Sequence, residues 1–300
     1  MDRRSFLSQS SLLGAAALLP ATSQAMPNQP QAPKYKMGYQ LFSVRDDMAK
    51  APKATLTALA KMGYQDFEIY GYDPEADTIY GYKPADFKKI LADQGLTATS
   101  GHFGFSPFLD QSPDALKKFV DQCIQCAQVI GMPYITWPWM APEQRNLATF
   151  KRLPAILNRI GEQVTKAGLG FAYHNHGFEF TNHDGEIGYD LIMNETDPEL
   201  VKLQIDMYWV MHSAKRSPKA LVEAQPGRFV MWHIKDMDAL TRDYTELGNG
   251  SINYLNVLPD PVASGLEYVY IEQGGNFAKS AMQSAADSAV YYKKHLQQLL

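Results

Sequence analysis

Eight short apolar runs recur along the chain at a spacing of roughly 30 to 40 residues, and helical patterns lie between them. The runs are Met37–Phe42, Asp66–Tyr70, Ala98–Phe103, Tyr134–Trp137, Gly170–His174, Val201–Asp206, Phe229–Ile234 and Glu267–Glu272. Between them, Pro52–Met62 carries apolar residues at three- and four-residue steps and ends at Gly63, a residue suited to a C-cap. Pro84–Gln94 repeats the form, with proline at its start and Gly95 after its end. Arg145–Ala167 stops at Gly168, and a last helix is expected from Phe277, with Tyr291, Tyr292 and Leu296 available for packing. Eight strands alternating with helices predict an α/β fold, a single (β/α)8 TIM barrel over residues 36–300. A doubly wound open sheet is the alternative, but no glycine-rich phosphate turn follows the first run.

Residues 1–26 stand apart from this pattern. Arg3-Arg4-Ser5-Phe6-Leu7 precedes an apolar stretch from Leu12 to Leu19, and Ser23-Gln24-Ala25 offers the small residues of a cleavage site. The stretch is too short to span a bilayer, and the twin arginines resemble a twin-arginine export signal. A periplasmic protein exported already folded is therefore expected, with a Pro- and Gln-rich tether over 27–35. An uncleaved membrane-anchored N-terminus is the alternative. With 28 Lys and Arg against 32 Asp and Glu, the formal charge is -4, so no electrostatic reason exists to expect nucleic acid or an anionic membrane as partner. The only two cysteines, Cys123 and Cys126, fall in the middle of a helical pattern, where they read as packing residues and not as a redox pair.

In a (β/α)8 barrel, function sits where strands end, at the C-terminal face. The fifth run is apolar from Phe171 to Tyr173 and then turns polar, through His174-Asn175-His176 to Glu179. In extended chain His174 and His176 share a face, with Asn175 on the other. The other ends supply Glu68 and His102 on the second and third runs, Asp206 on the sixth, His233 and Lys235 on the seventh, and Glu272 on the eighth. Imidazoles and carboxylates ligate divalent metals and also shuttle protons. A single Asp206 after an apolar run could be a salt-bridged structural group, but several consecutive strands converging in this way would leave buried charges crowded together.

Tyr173-His-Asn-His176, Phe178-Glu-Phe180, Gln204-Ile-Asp206, His233-Ile-Lys-Asp236 and Tyr270-Ile-Glu-Gln273, in this order on successive strands, resemble the sugar isomerase/epimerase group with a xylose-isomerase-like barrel. The resemblance runs over essentially the whole chain after the leader. It implies one divalent ion (Mn, Zn, Co or Mg) held by a carboxylate on strand five, an Asp on six, a His on seven and a Glu on eight. Asp206, His233 and Glu272 take the last three roles. The position of the strand-five carboxylate is occupied by His174, so either Glu179 folds back to supply it, the preferred reading, or His174 binds the ion directly. The family's endonuclease branch would need a basic groove, which the acidic balance opposes.

Such an ion can hold a sugar's carbonyl and adjacent hydroxyl and stabilise the enediolate left when the carbon next to the carbonyl loses a proton. His174, His176 and Lys235 are the candidate acid and base, since imidazole titrates near neutrality and a lysine beside a cation can have a depressed pKa. Glu68, His102, Trp137 and Trp209 are candidate substrate-binding residues. Tyr39, Phe103, Phe105, Trp139 and Tyr208 are further aromatics near strand ends that either face a sugar or pack the rim. The expected activity is isomerisation or epimerisation of a sugar or keto-sugar. Elimination of the aglycone from 3-keto-glycosides and a non-catalytic periplasmic sugar-binding barrel are the alternatives. A periplasmic location disfavours phosphorylated substrates, although Lys215-Arg216 leaves them open, as the sequence leaves the oligomeric state.

Overall fold

The computed structural model describes residues 34–300. The expected export signal at 1–26 and most of the tether at 27–35 lie outside the described residues. Eight parallel strands close into a barrel: β1 (Gly38–Gln40), β2 (Asp66–Tyr70), β3 (Thr97–His102), β4 (Tyr134–Trp137), β5 (Gly170–His174), β6 (Lys202–Asp206), β7 (Met231–Ile234) and β8 (Tyr268–Ile271). Each pairs with its sequence neighbours, and β1 closes the ring by pairing with both β2 and β8. All eight expected runs become barrel strands. Among the described residues, no helix is long and apolar enough to cross a membrane.

The helices begin and end where local chemistry dictates. Helix α1 (Pro52–Met62) starts with proline, whose missing N–H is not needed in a first turn, and stops at Gly63 in the left-handed region, φ 100°. In α2 (Pro113–Ile130) the Ser112 hydroxyl accepts from Ala115 N, and in α3 (Leu147–Lys166) the Asn146 carbonyl oxygen accepts from Thr149 N. Cys123 and Cys126 are buried free thiols in α2, in the packing position expected of them.

Alternation along each strand sorts side chains into two environments. Phe67, Ile69, Leu203, Ile205, Trp232 and Ile234 pack outward against the helices in one large core. Tyr134, Ala172, Met231 and Tyr270 form a separate cluster that fills one end of the barrel interior. The next inward positions along those strands, and Gln40 and Glu68 on β1 and β2, are polar or charged and buried. The barrel thus changes from apolar plug to polar site within two residues of each strand.

Three short antiparallel hairpins decorate the loops after β2, β5 and β7: Tyr72–Asp73 with Thr78–Ile79, Asn182–His183 with Glu186–Ile187, and Asp236–Met237 with Tyr244–Thr245. The last is anchored by the buried Asp236 carboxylate, which accepts from the backbone N of Met237 (2.8 Å), Gly248 (2.9 Å), Gly250 (3.1 Å) and Ile252 (3.1 Å).

Candidate metal and substrate site

A buried carboxylate lies beneath the site. Glu68 accepts from Gln40 Nε2 (2.7 Å), Ser100 Oγ (2.6 Å) and Gln204 Nε2 (2.7 Å), and its Oε2 lies 2.6 Å from His233 Nε2 and 3.0 Å from His102 Nε2. Register brings these groups together: Gln40 pairs with Glu68, and Glu68 with Ser100, across adjacent strands. With Nε2 engaged, His233 turns Nδ1 toward Glu272 Oε2, 2.6 Å away. Lys235 Nζ lies 2.7 Å from that same oxygen and 2.6 Å from Asp206 Oδ2. The other Asp206 oxygen accepts from Trp209 N (3.1 Å) and so caps the following helix. His174 Nε2 stands 3.7 Å from Asp206 Oδ2, and its ring centroid lies 4.6 Å from that of His233 and 4.9 Å from that of His176.

The electrostatics divide these groups into charged and neutral sets. Burial would raise Glu68, but the imidazoles of His102 and His233 outweigh it and hold the carboxyl well below its usual range. Burial likewise opposes charge on His233, yet Glu68 and Glu272 raise it to about 9. Lys235 is raised despite burial by Asp206 and Glu272, so it is an ammonium ion at neutral pH. His174 and His176 go the other way. Burial, with the neighbouring His233 for His174 and Lys235 for His176, lowers both, His176 to about 3, and both imidazoles are neutral.

The donor set suits a divalent ion. One donor atom from each of His174, Asp206, His233 and Glu272 falls within 4.8 Å of every other, and all four residues are buried. The Nδ1 atoms of His174 and His176 are buried without a hydrogen-bond partner, and Asp206 Oδ2 is met by the Lys235 ammonium. Two imidazoles and two carboxylates held this close together make a set that accepts Zn, Mn or Mg.

Above this group opens a cavity of about 480 Å³, lined at its floor by His102, His174, His176, Lys235 and Glu272. Its position at the C-terminal ends of the strands is that of the active site in barrels of this kind. A family model described as xylose isomerase-like TIM barrel matches residues 56–259, more than half of the chain. The chain belongs to the xylose isomerase-like TIM barrel family.

Solved structures of the same fold agree. A sugar phosphate isomerase/epimerase from Parabacteroides distasonis is 26% identical, with TM-score 0.74 over 93% of this chain and 99% of its own. An L-ribulose 3-epimerase is 16% identical, with TM-score 0.67 over 88% of this chain and 95% of its own. A xylose isomerase-like TIM barrel protein from Mycobacterium smegmatis, in complex with magnesium, is 17% identical, with TM-score 0.64 over 88% and 97%. No curated protein sequence is significantly similar to the chain.

Within this family frame the expected site residues separate. Asp206, His233 and Glu272 come together as expected of their strand ends, but Glu179 does not join them. A 3-10 turn, Phe178–Phe180, carries Glu179 under the loop, where its oxygens accept from Tyr173 Oη (2.9 Å) and His176 N (2.9 Å). Burial raises this carboxyl to about 7. Glu179 therefore braces the β5 loop, and His174 stands in the donor group in its place.

Other expectations need correction as well. Trp137 does not reach substrate: it is fully buried, its ring stacked 5.1 Å from that of Phe105 and its indole N–H bonded to Trp139 O. Glu68 lies beneath the cavity and orients imidazoles. Trp209 stands behind His176, ring centroids 5.7 Å apart, and is not among the residues that line the cavity. It packs there because Gly177 leaves room: a Cβ at that position would lie 2.9 Å from the indole. Lys235 lies within 2.7 Å of both Asp206 and Glu272, and despite burial these carboxylates raise its ammonium. His102 and His176 line the cavity as expected. The structure adds Gln40, Ser100, Gln204 and Tyr244 to the site, none of them assigned a role there by the strand-end pattern. Gln204 was readable, since it stands two residues before Asp206 and so shares its face.

Proposed function

We propose that this protein is a divalent-metal-dependent isomerase or epimerase of a sugar or keto-sugar, working by removal and return of a proton next to a carbonyl. The observation that carries the reading is the placement of the His174, Asp206, His233 and Glu272 donor group beneath one cavity, beside a neutral imidazole and a charged ammonium. When bound, a divalent ion supplies an electrophile that stabilises negative charge on a substrate oxygen. His176 would accept the proton, since its imidazole is neutral and it lines the cavity. Lys235, held protonated by Asp206 and Glu272, would donate on the other side. Glu68 keeps His233 and His102 aligned, and Glu179 holds the backbone of His176 in place. The Mycobacterium smegmatis structure with magnesium and the L-ribulose 3-epimerase support both halves of the proposal.

Incubation with a panel of keto-pentoses and keto-hexoses in D2O, followed by NMR, tests it. The expected result is an isomer or epimer carrying deuterium on the carbon next to the carbonyl. Product without solvent deuterium on carbon would replace proton transfer by an internal hydride shift. Elimination is the second reading, favoured by Tyr244, whose phenol ring lines the cavity beside Lys235 and offers a second hydroxyl donor. In that case the product is unsaturated or its hydrate.

A further inference from the structure

The cavity has two unlike halves. Its floor is ionic, whereas its walls carry Phe42, Tyr70, Tyr72, Pro138, Trp139 and Tyr244. We propose that these walls form a second subsite for an uncharged aromatic or otherwise apolar group joined to the sugar on the floor, so that the preferred substrate is a glycoside that keeps a ring carbonyl and not a sugar phosphate. The inference rests on the sugar reading above.

Exposure separates these aromatics from ordinary packing. Trp137 and Trp139 are two residues apart at the end of β4, yet Trp137 is fully buried on Phe105 while Trp139 is 42% exposed over the cavity. Phe42, 40% exposed, lines the same cavity from the loop after β1, three places away round the barrel from β4. Large apolar surfaces facing water across a concave site are what a planar or apolar ligand group would cover. The rings are also braced. Phe42 meets Tyr70 edge-on at 5.3 Å, the Arg45 guanidinium sits 4.6 Å from the Phe42 ring centroid, and that of Arg145 lies 5.1 Å from the Trp139 ring centroid. Ordering them in advance lowers the entropy lost on binding.

Size and charge point the same way. A volume of about 480 Å³ belongs to the class of sites that enclose drug-sized ligands, and it leaves space above a single sugar ring. Among the described residues, Lys235 is the one lysine or arginine that lines the cavity, and both Asp206 and Glu272 already engage it. Arg45 bonds to the carbonyls of Phe42 and Gly274, and Arg145 to that of Met140. The Lys215-Arg216 pair is absent from the lining, and Arg216 is engaged by Asp190. Among the residues that line the cavity, a phosphate on the substrate would meet one ammonium already engaged by two carboxylates.

Calorimetric titration of the full-length, ion-loaded protein with matched methyl and phenyl 3-keto-glycosides derived from glucose, galactose and xylose, and with glucose and glucose 6-phosphate, tests this. The phenyl member of at least one pair should bind about tenfold more tightly than the methyl member, a difference of about 1.4 kcal/mol. The 6-phosphate should bind no better than glucose. In Phe42→Ala and Trp139→Ala the phenyl-to-methyl ratio should fall toward one, and Trp139→Phe should restore part of it. Circular dichroism confirms that the variants fold. Equal binding within every pair overturns the subsite and leaves the sugar reading standing. Binding of no sugar in the panel overturns both, and preference for the 6-phosphate overturns the uncharged substrate class.

Discussion

His233 Nε2 lies 2.6 Å from Glu68 Oε2, and this contact joins residues 165 positions apart in the chain across the interior of the barrel. It leaves only Nδ1 of His233 facing Glu272 and the donor group. A carboxylate that fixes a ligating imidazole in this way tunes both its orientation and its basicity. Glu68→Gln, nearly isosteric, should weaken divalent-ion affinity roughly 10- to 100-fold. It should also lower the melting temperature without ion, since His233 loses one of its two countercharges. Titration of Mn or Zn into the chelated protein measures the first effect, and unchanged affinity would reduce Glu68 to a purely structural role.

Asp206 serves two ends with two oxygens, one capping Trp209 N and one facing His174 and Lys235. Asp206→Asn keeps a cap-forming oxygen, whereas Asp206→Ala also loses the cap, at a cost of about 1 kcal/mol. Both variants, and Glu272→Gln, should lose the ion on purification. Elemental analysis showing a full ion complement in Asp206→Asn and Glu272→Gln would remove these residues from the donor set.

The proton-transfer roles predict a different signature. His176→Ala and Lys235→Met should keep the ion and lose turnover by roughly two to four powers of ten. Steady-state kinetics alongside ion content make the check. Should His176→Ala lose its ion, His176 is a ligand and its role as base falls.

Asp66 supplies a pH prediction away from the site. It is buried at the start of β2, and burial raises its carboxyl to about 6 even though Thr97 and Thr99 donate to it. Between the unfolded value near 4 and this folded value the native state holds a proton that the unfolded state has lost. Stability therefore falls as pH rises through that window. The loss levels off above pH 6 to 7 at about 3 kcal/mol, an upper figure at 1.36 kcal/mol per unit. Asp66→Asn should leave the melting temperature nearly unchanged at pH 4 and raise it at pH 8. A constant difference between the two proteins across this range would show that Asp66 does not titrate there.

The order of elements was legible because periodicity is local. Two-residue alternation and helix punctuation, such as Pro52 and Gly63, need no distant partner to be read, so all eight strands and the positions of Asp206, His233 and Glu272 at their ends followed from the chain alone. What the side chains do there was decided by closure of the barrel. Glu68 binds His233 only because the ring faces β2 toward β7, and no spacing in the sequence encodes a contact across an interior. Glu179 braces the loop and His174, the other of the two readings, stands in the donor group, because a 3-10 turn of three residues sets where the Glu179 side chain points, and its hydrogen bonds need Tyr173 and His176 in place. Trp137 and Trp139 share a strand-side periodicity, yet one is core and the other cavity wall. The barrel strand ends between them, and beyond its last hydrogen bond the direction of a side chain is set by the packing of neighbouring loops.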